Sequence, residues 1–332
     1  MDRNNKIGVL ALAVIVFIVP LVIKNQYDIY LYTLIGLHCM IVIGLSLFMG
    51  YAGQISLGQA GFYAIGAYMT GLFSTRYGIS PFFTIFLAIL ITAAAALLIG
   101  VPSLRLRGHY LAMATLGFGA VVYVIFDNAI GVTGGVQGIT DIPPLRVLGY
   151  IFKKQVPKFY LTWGTLVLLM AFSLNIMKSR VGRACRAIHG NETAASVMGV
   201  NISKLKIQIF VLSALYASLA GSYYASFENY ISPEPFSLEV SIHLVVLVAI
   251  GGMTNLWAAL SGAIFLSLLF AYMEEQWLFF KENRILFDGA ILILIMMFFP
   301  RGLFITLAEK VRKLKLLKRI FKRRAIEVET AK

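Results

Sequence analysis

Ten apolar segments follow one another along the chain, with short polar stretches between them: 7–23, 30–51, 55–75, 79–101, 110–131, 158–177, 207–226, 241–250, 256–273 and 285–299. An α-helix rises about 1.5 Å per residue, so about 20 apolar residues cross the roughly 30 Å of bilayer hydrocarbon. Most of the ten segments are near that length. Composition agrees: 59% of the 332 residues are hydrophobic and only 13% are charged, where a soluble domain carries about a quarter charged residues. The fold class is therefore all-α and polytopic. The first segment ends in LVIKNQY without a small-residue cleavage pattern, and reads as an uncleaved span. The eighth is short enough to be a broken or re-entrant helix.

Charge sets the orientation. Residues 301–332 hold eleven basic and three acidic residues, and residues 178–206 hold six Lys or Arg against one acid. Lys and Arg in short loops mark the cytoplasmic face. Alternation then puts both termini in the cytoplasm, with Arg105 and Arg107. Residues 227–240, with Glu228, Glu234 and Glu239, fall outside, as do 274–284 and 132–157. Asp127, Glu239 and Asp288 lie near outer span ends, where interfacial water solvates them. The basic excess lies on a membrane face, which argues against nucleic acid as a partner and for the lipid bilayer. In 301–332, Leu307, Val311, Leu314, Leu317 and Phe321 recur at helical spacing between basic residues, predicting an amphipathic tail on the inner leaflet. Residues 1–300 form a single transmembrane domain. Cys39 lies in an apolar segment and Cys185 in the basic loop, an arrangement that suggests neither an extracellular disulfide nor a zinc cluster.

Two polar stretches carry the functional signals. In 178–206 the spacing predicts a short amphipathic helix over 180–189, ended by Gly190. Asn191 caps a second helix that runs to about Met198 before Gly199 stops it. This pair is either a solvated loop or a docking element for a cytoplasmic partner. The second stretch is GYAGQISLGQAGFYAIGAY, residues 50–68. Glycine costs about 1 kcal/mol against alanine in a helix interior, so four between Gly50 and Gly61 predict a broken helix. Broken helices persist in membranes where protein or a water-filled cavity satisfies the freed backbone. Gly53, Gln54, Ser56, Gly58 and Gln59 are candidates for a translocation lining, or for close packing through small residues. His38 and His243 each lie in an apolar run and read as hydrogen-bonded packing residues, with proton-relay groups as the alternative. The run Thr133-Gly-Gly-Val-Gln-Gly138 reads as a turn with glycines at positive φ.

The chain lacks a Walker phosphate loop, an H-E-x-x-H helix, a G-x-S-x-G elbow and any Cys/His set at metal-ligand spacing. These absences point away from an enzyme and give no catalytic or metal-binding candidates. A stand-alone secondary transporter is a rival reading, weakened by the lack of an evident internal repeat or paired midplane charge.

GYAGQISLGQAGFYAIGAY, LRLRGHYLAMATLGFG, VTGGVQGI, SRVGRACRAIHGNETAASVMGVN and FPRGL occur in this order, and together they resemble LivM-type permeases. These are inner-membrane subunits of ABC importers for branched-chain (hydrophobic) amino acids. The resemblance runs from about Tyr30 to Leu303. It implies a bacterial or archaeal cytoplasmic membrane and a second, LivH-like permease. It also implies two ABC ATPase subunits and a periplasmic or lipid-anchored substrate-binding protein. This chain would bind no cofactor, with ATP and Mg on the ATPases. Relatives of the family also carry urea or short amides. The basic loop resembles the ATPase-coupling EAA loop of bacterial ABC permeases, which would give Arg183, Arg186, Glu192, Thr193, Ala194, Ala195 and Gly199 that role. Here Thr193 stands at the usual glutamate position and Glu192 one residue before it. Thr254 replaces a further glycine in GGMTN.

Overall fold

The computed structural model describes residues 3–106, 108–147, 149–277, 283–298 and 306. Arg107, the side chain of Asp288 and the expected amphipathic face of 301–332 lie outside the described residues. The helices are α1 (Arg3–Val22), α2 (Gln26–Ser46), α3 (Gln59–Arg76), α4 (Pro81–Ser103), α5 (His109–Asn128), α6 (Ile130–Thr133), α7 (Gln155–Lys178), α8 (Arg180–Gly190), α9 (Glu192–Val197), α10 (Ile202–Glu228), α11 (Leu238–Gly251), α12 (Leu256–Gln276) and α13 (Arg284–Phe298). Their starts follow local chemistry. Asn25, Asn201 and Asn255 accept backbone N–H bonds from Tyr27, Lys204 and Trp257. α4 begins on Pro81, whose missing N–H costs nothing at a first turn.

Among the described residues, seven helices are long and apolar enough to cross a membrane, and Leu238–Gly251 is a shorter apolar helix. The chain is thus an all-α polytopic membrane protein. α3 is not among the seven, although 55–75 is apolar enough in sequence to suggest a span. It begins later, at Gln59, and nearly all of its side chains are buried. A helix sheathed by other helices does not meet lipid and can be rich in Gly, Tyr and Thr. α3 packs against α10, α4 and α5. At its crossing with α10, a Cβ on Gly66 would run into the Ser218 carbonyl, and one on Gly221 into the Tyr63 carbonyl. The backbones touch there, and Ser222 Oγ donates to Gly66 O at 3.2 Å. α1, α4 and α5 present apolar side chains outward, with Leu10, Phe17, Phe83, Phe86, Leu90, Leu98 and Met113 exposed.

The connections gather at two ends. At one, Arg76 donates to the carbonyls of Gly131 and Val132, at 2.6 and 2.8 Å. Ile139 and Ile231 exchange backbone hydrogen bonds at 2.9 and 3.0 Å. Asn229, at φ +59°, donates from Nδ2 to Ile142 O. The glycine turn at 133–138 does have positive φ at Gly134, Gly135 and Gly138; it also presses Gly138 onto the Ile231 carbonyl. A two-stranded antiparallel hairpin pairs β1 (Arg146–Val147) with β2 (Tyr150–Ile151) at this end of the chain's path. The opposite end holds α8, α9, the 252–255 turn and the start of α1, where Trp257 Nε1 donates to Asn5 Oδ1 at 3.4 Å.

The α3–α10 crossing makes a direct prediction. Gly66→Val should lower the melting temperature of the detergent-solubilised protein by an amount matching about 3 kcal/mol, the upper part of the overpacking range. Gly117→Ala, where a Cβ meets no heavy atom within 4 Å, should leave it unchanged or slightly raised. Equal behaviour of the two variants in a fluorescence melt would refute the close crossing.

Candidate functional site

α8 and α9 form a rigid two-helix element between α7 and α10. Ser179 Oγ caps α8 by accepting Val181 N–H at 3.1 Å. Asn191 caps α9, its Oδ1 accepting Ala194 N–H at 3.0 Å. α9 closes with Gly199 N to Ser196 O at 2.9 Å and Val200 N to Ala195 O at 3.1 Å. This is the Schellman arrangement, which needs a left-handed residue after the helix, and Gly199 has φ +82°. The predicted helix pair and both its stops are therefore present. At Gly182 any Cβ would enter the Met177 backbone, so α8 folds back hard against the end of α7. Arg186 Nη1 donates to Met177 O at 2.9 Å and Arg183 Nη1 to Lys178 O at 3.4 Å. Both guanidinium groups thus meet carbonyls at the end of α7, where the helix dipole favours positive charge. Burial pushes the Cys185 thiol up to about 11, so it stays protonated and inert near neutral pH.

The outward side of α9 and its C-cap mixes small polar residues, Thr193 and Ser196, with large apolar ones. Val197 and Met198 are 82% and 83% exposed, while Ala195 is 3% exposed and packs inward. Thr193 and Ala194 are exposed. Glu192 points the other way. Its Oε1 accepts from Lys206 Nζ at 2.6 Å and from Gln54 Nε2 at 3.1 Å. Lys206 is 3% exposed and Glu192 24%. A buried ammonium requires a counter-charge, and Glu192 supplies it from α9.

Gln54 belongs to the broken segment. α2 ends in a π-helical turn, Leu47–Tyr51, and residues 52–58 are non-helical until α3 begins. Their backbone is satisfied piecemeal. Ala52 and Gln54 donate back to Leu47 O and Phe48 O, both at 3.3 Å. Leu57 N–H donates to Thr115 Oγ1 of α5 and Ala60 N–H to Ser241 Oγ of α11, each at 3.0 Å. Gln59 Nε2 donates to Ser213 Oγ of α10 at 3.0 Å. Ser213 is the twelfth of the 27 residues of α10, about 16 Å from the start of that helix. The break therefore reaches well into the bundle. Gly53, at φ +67°, lies against the His189 side chain, and a Cβ at Gly58 would meet Thr115 O at 2.6 Å. Gly50 lies against the Met253 carbonyl, which also accepts from Ser46 Oγ at 3.0 Å.

The structure thus brings together two sets of residues that the sequence presents separately. Glu192 of the loop and Gln54 of the break share a hydrogen bond; Ser56, Gly58 and Gln59 are buried among α5, α10 and α11. Sequence reasoning missed Lys206 as the partner of Glu192, fourteen positions away, because that spacing crosses a turn between helices. It also missed His38 and His243. The two rings lie 6.2 Å apart, with Tyr63 6.5 Å from His38. Each His has a titratable neighbour, on another helix.

The chain is thus a polytopic helical membrane protein whose exposed α8–α9 pair is tied to the bundle by a partly buried ion pair. Residues 29–299 match the family described as "Branched-chain amino acid transport system / permease component", and the chain belongs to that family. It is 32% identical to the high-affinity branched-chain amino acid transport permease LivM of Salmonella typhimurium and, equally, to LivM of Escherichia coli K12. Each match covers 90% of this chain and 75% of the relative. LivH of E. coli K12 is 23% identical over 82% of this chain and 92% of that protein. No solved structure matches.

Glu192→Ala would leave Lys206 buried without its counter-charge. Because Glu192 is itself a quarter exposed, we expect about 2–3 kcal/mol of destabilisation, below the full cost of breaking a deeply buried pair. Lys206→Met in the Glu192→Ala background should restore most of it. A double-mutant melting cycle checks this, and strict additivity would contradict the pairing.

Proposed function

We propose that the chain is one of two permease subunits of an ATP-driven importer for branched-chain or related small amino acids. Its partners are a second, LivH-like permease, two ATPase subunits carrying ATP and Mg, and an external substrate-binding protein. The chain itself performs no chemistry. The observation that carries the reading is the α8–α9 element. It presents Val197 and Met198 to solvent from a backbone fixed by two caps, a Schellman turn and an ion pair. Two adjacent large apolar side chains on an otherwise polar loop offer a small apolar patch that suits a partner surface.

Charge supports the orientation. Lys178, Arg180, Arg183, Arg186, Lys204 and Lys206 surround the docking element, and the start of α1, with Lys6 beside Asn5, lies at the same end. Glu228, Glu234 and Glu239 cluster toward the other. The positive-inside rule puts the docking end in the cytoplasm. α1–α5, α7 and α10–α13 then make ten passages, with both termini cytoplasmic. α11, of 14 residues, is a short passage completed by the flanking turns. The docking element would move with its partner as one body. α7 and α10, continuous with it on either side, would carry that motion into the bundle.

Purification of the tagged chain from its native host in mild detergent should bring down a second permease and two Walker-containing ATPases. Val197→Asp combined with Met198→Asp should reduce ATPase recovery about tenfold, as loss of a buried apolar contact requires. The second permease should be retained and the melting temperature unchanged. A chain that purifies alone and transports on an ion gradient would overturn the reading.

A further inference from the structure

α7 leads into the α8–α9 element and α10 leads out of it. Three side-chain bonds join these two helices, in opposite sequence order, as antiparallel neighbours require. Farthest from α8 and α9, Lys158 Nζ donates to Phe227 O at 2.5 Å and stands 5.7 Å from the centre of the Phe227 ring. In the middle, Tyr223 OH and Thr165 Oγ1 are 3.1 Å apart. Thr165 already gives its one proton to Leu161 O at 2.8 Å, so the tyrosine is the donor. Nearest α8, Ser173 Oγ and Tyr216 OH are 2.9 Å apart, with Leu169 O 3.4 Å from the same phenol. Lys158, Ser173, Tyr216 and Tyr223 are all buried. From Lys158 to Ser173 the rungs span about 22 Å of α7, most of the hydrocarbon thickness. α2 packs against both helices and leaves room for a rung: a Cβ on Gly44 would lie 2.9 Å from Tyr216 Cβ.

These rungs resist one motion in particular. Thr165 and Ser173 are short side chains, so the hydroxyl pairs have little slack along the helix axis. A slide of half a turn, about 2.7 Å, takes both beyond hydrogen-bond length, and hydrocarbon offers no substitute partner. A tilt of α7 and α10 together leaves every rung intact. We propose that the rungs are a register lock, which bars α7 from sliding past α10, so that a displacement of α8–α9 enters the bundle as a joint tilt of the two helices. Tyr216 and Tyr223 are its positioning residues. The lock rests on the importer reading for the force that acts on it, while its geometry stands on the bonds alone.

Tyr216→Phe with Tyr223→Phe keeps both rings and removes both hydroxyls. Spin labels at Asn175→Cys on α7 and Gln208→Cys on α10, both exposed positions, report the separation of the helices by pulsed electron resonance; the native Cys39 and Cys185 are buried. In the detergent-solubilised full chain the distance distribution should be narrow, and the double phenylalanine variant should widen it. In the assembled complex, trapping nucleotide should leave the distance unchanged within about 2 Å, the scale of helix shifts in such transitions, and the double variant should exceed that shift. ATP hydrolysed per solute imported should rise severalfold in the variant. Thr165→Val with Ser173→Ala cuts the same rungs from α7 and replaces the tyrosine pair if that variant does not fold. All four substitutions together should widen the distribution no further than either pair. An unchanged width in both pairs, a widening that adds when the pairs are combined, or an equally large nucleotide-driven shift with the hydroxyls present would overturn the lock. The width is read on the chain without partners and co-purification of the ATPases reads the importer assignment, so the two failures are distinguishable.

Discussion

Backbone N–H and C=O groups inside a membrane must be satisfied by protein, because the surrounding hydrocarbon offers nothing. The non-helical stretch 52–58 places that demand on this bundle more acutely than any other described segment. Ala52 and Gln54 turn back onto the carbonyls of Leu47 and Phe48, and Leu57 N–H donates to Thr115 Oγ1 of α5; just beyond, in the first turn of α3, Ala60 N–H donates to Ser241 Oγ of α11 and the Gln59 side-chain amide to Ser213 Oγ of α10. The three hydroxyl contacts fix where the helices stand around the break. Further along α3 the close crossing with α10 at Gly66 and Gly221 holds the same two helices together.

The same stretch explains why a surface element sits where it does. Gln54 emerges from the break to meet Glu192, and Gly53 passes against His189. With Lys206 buried behind them, the α8–α9 pair, the break and the root of α10 are joined through one carboxylate. A loop attached only through its two ends would absorb a push from a partner. An element fastened at a third point passes it on to α2 and α3. The energetic scale is adequate, since a partly buried, hydrogen-bonded ion pair resists separation by a few kcal/mol, well above thermal energy.

Much of this was legible in the residues. The apolar segments gave an all-helical membrane protein, and Asn191 and Gly199 gave the second docking helix with its cap and stop, because capping chemistry is local. The glycines at 50, 53, 58 and 61 marked the break for the same reason. What stayed hidden depends on contact between distant segments. Thr115, Ser213 and Ser241 look like ordinary small polar residues in apolar runs until the break is laid beside them. The closeness of His38 to His243 stayed hidden because helical spacing records neighbours on one helix only, and these two lie on α2 and α11. Ala195 sits in the middle of the docking motif yet faces inward, since a six-residue helix resting on a bundle has an inner side that the motif does not mark.

Fastened at Glu192, the α8–α9 pair and the break should move as one mechanical body. Spin labels at Ile55→Cys and Ser196→Cys, both exposed positions, allow their separation to be measured by pulsed electron resonance in the assembled complex, with and without trapped nucleotide. The account predicts a distance constant to within about 2 Å between the two states, while a label pair spanning Ser196 and Tyr230 at the far end shifts by more than that, the scale of helix displacements in such transitions. A change between Ile55 and Ser196 as large as the change to Tyr230 would show that the docking pair swings free of the break and would contradict it.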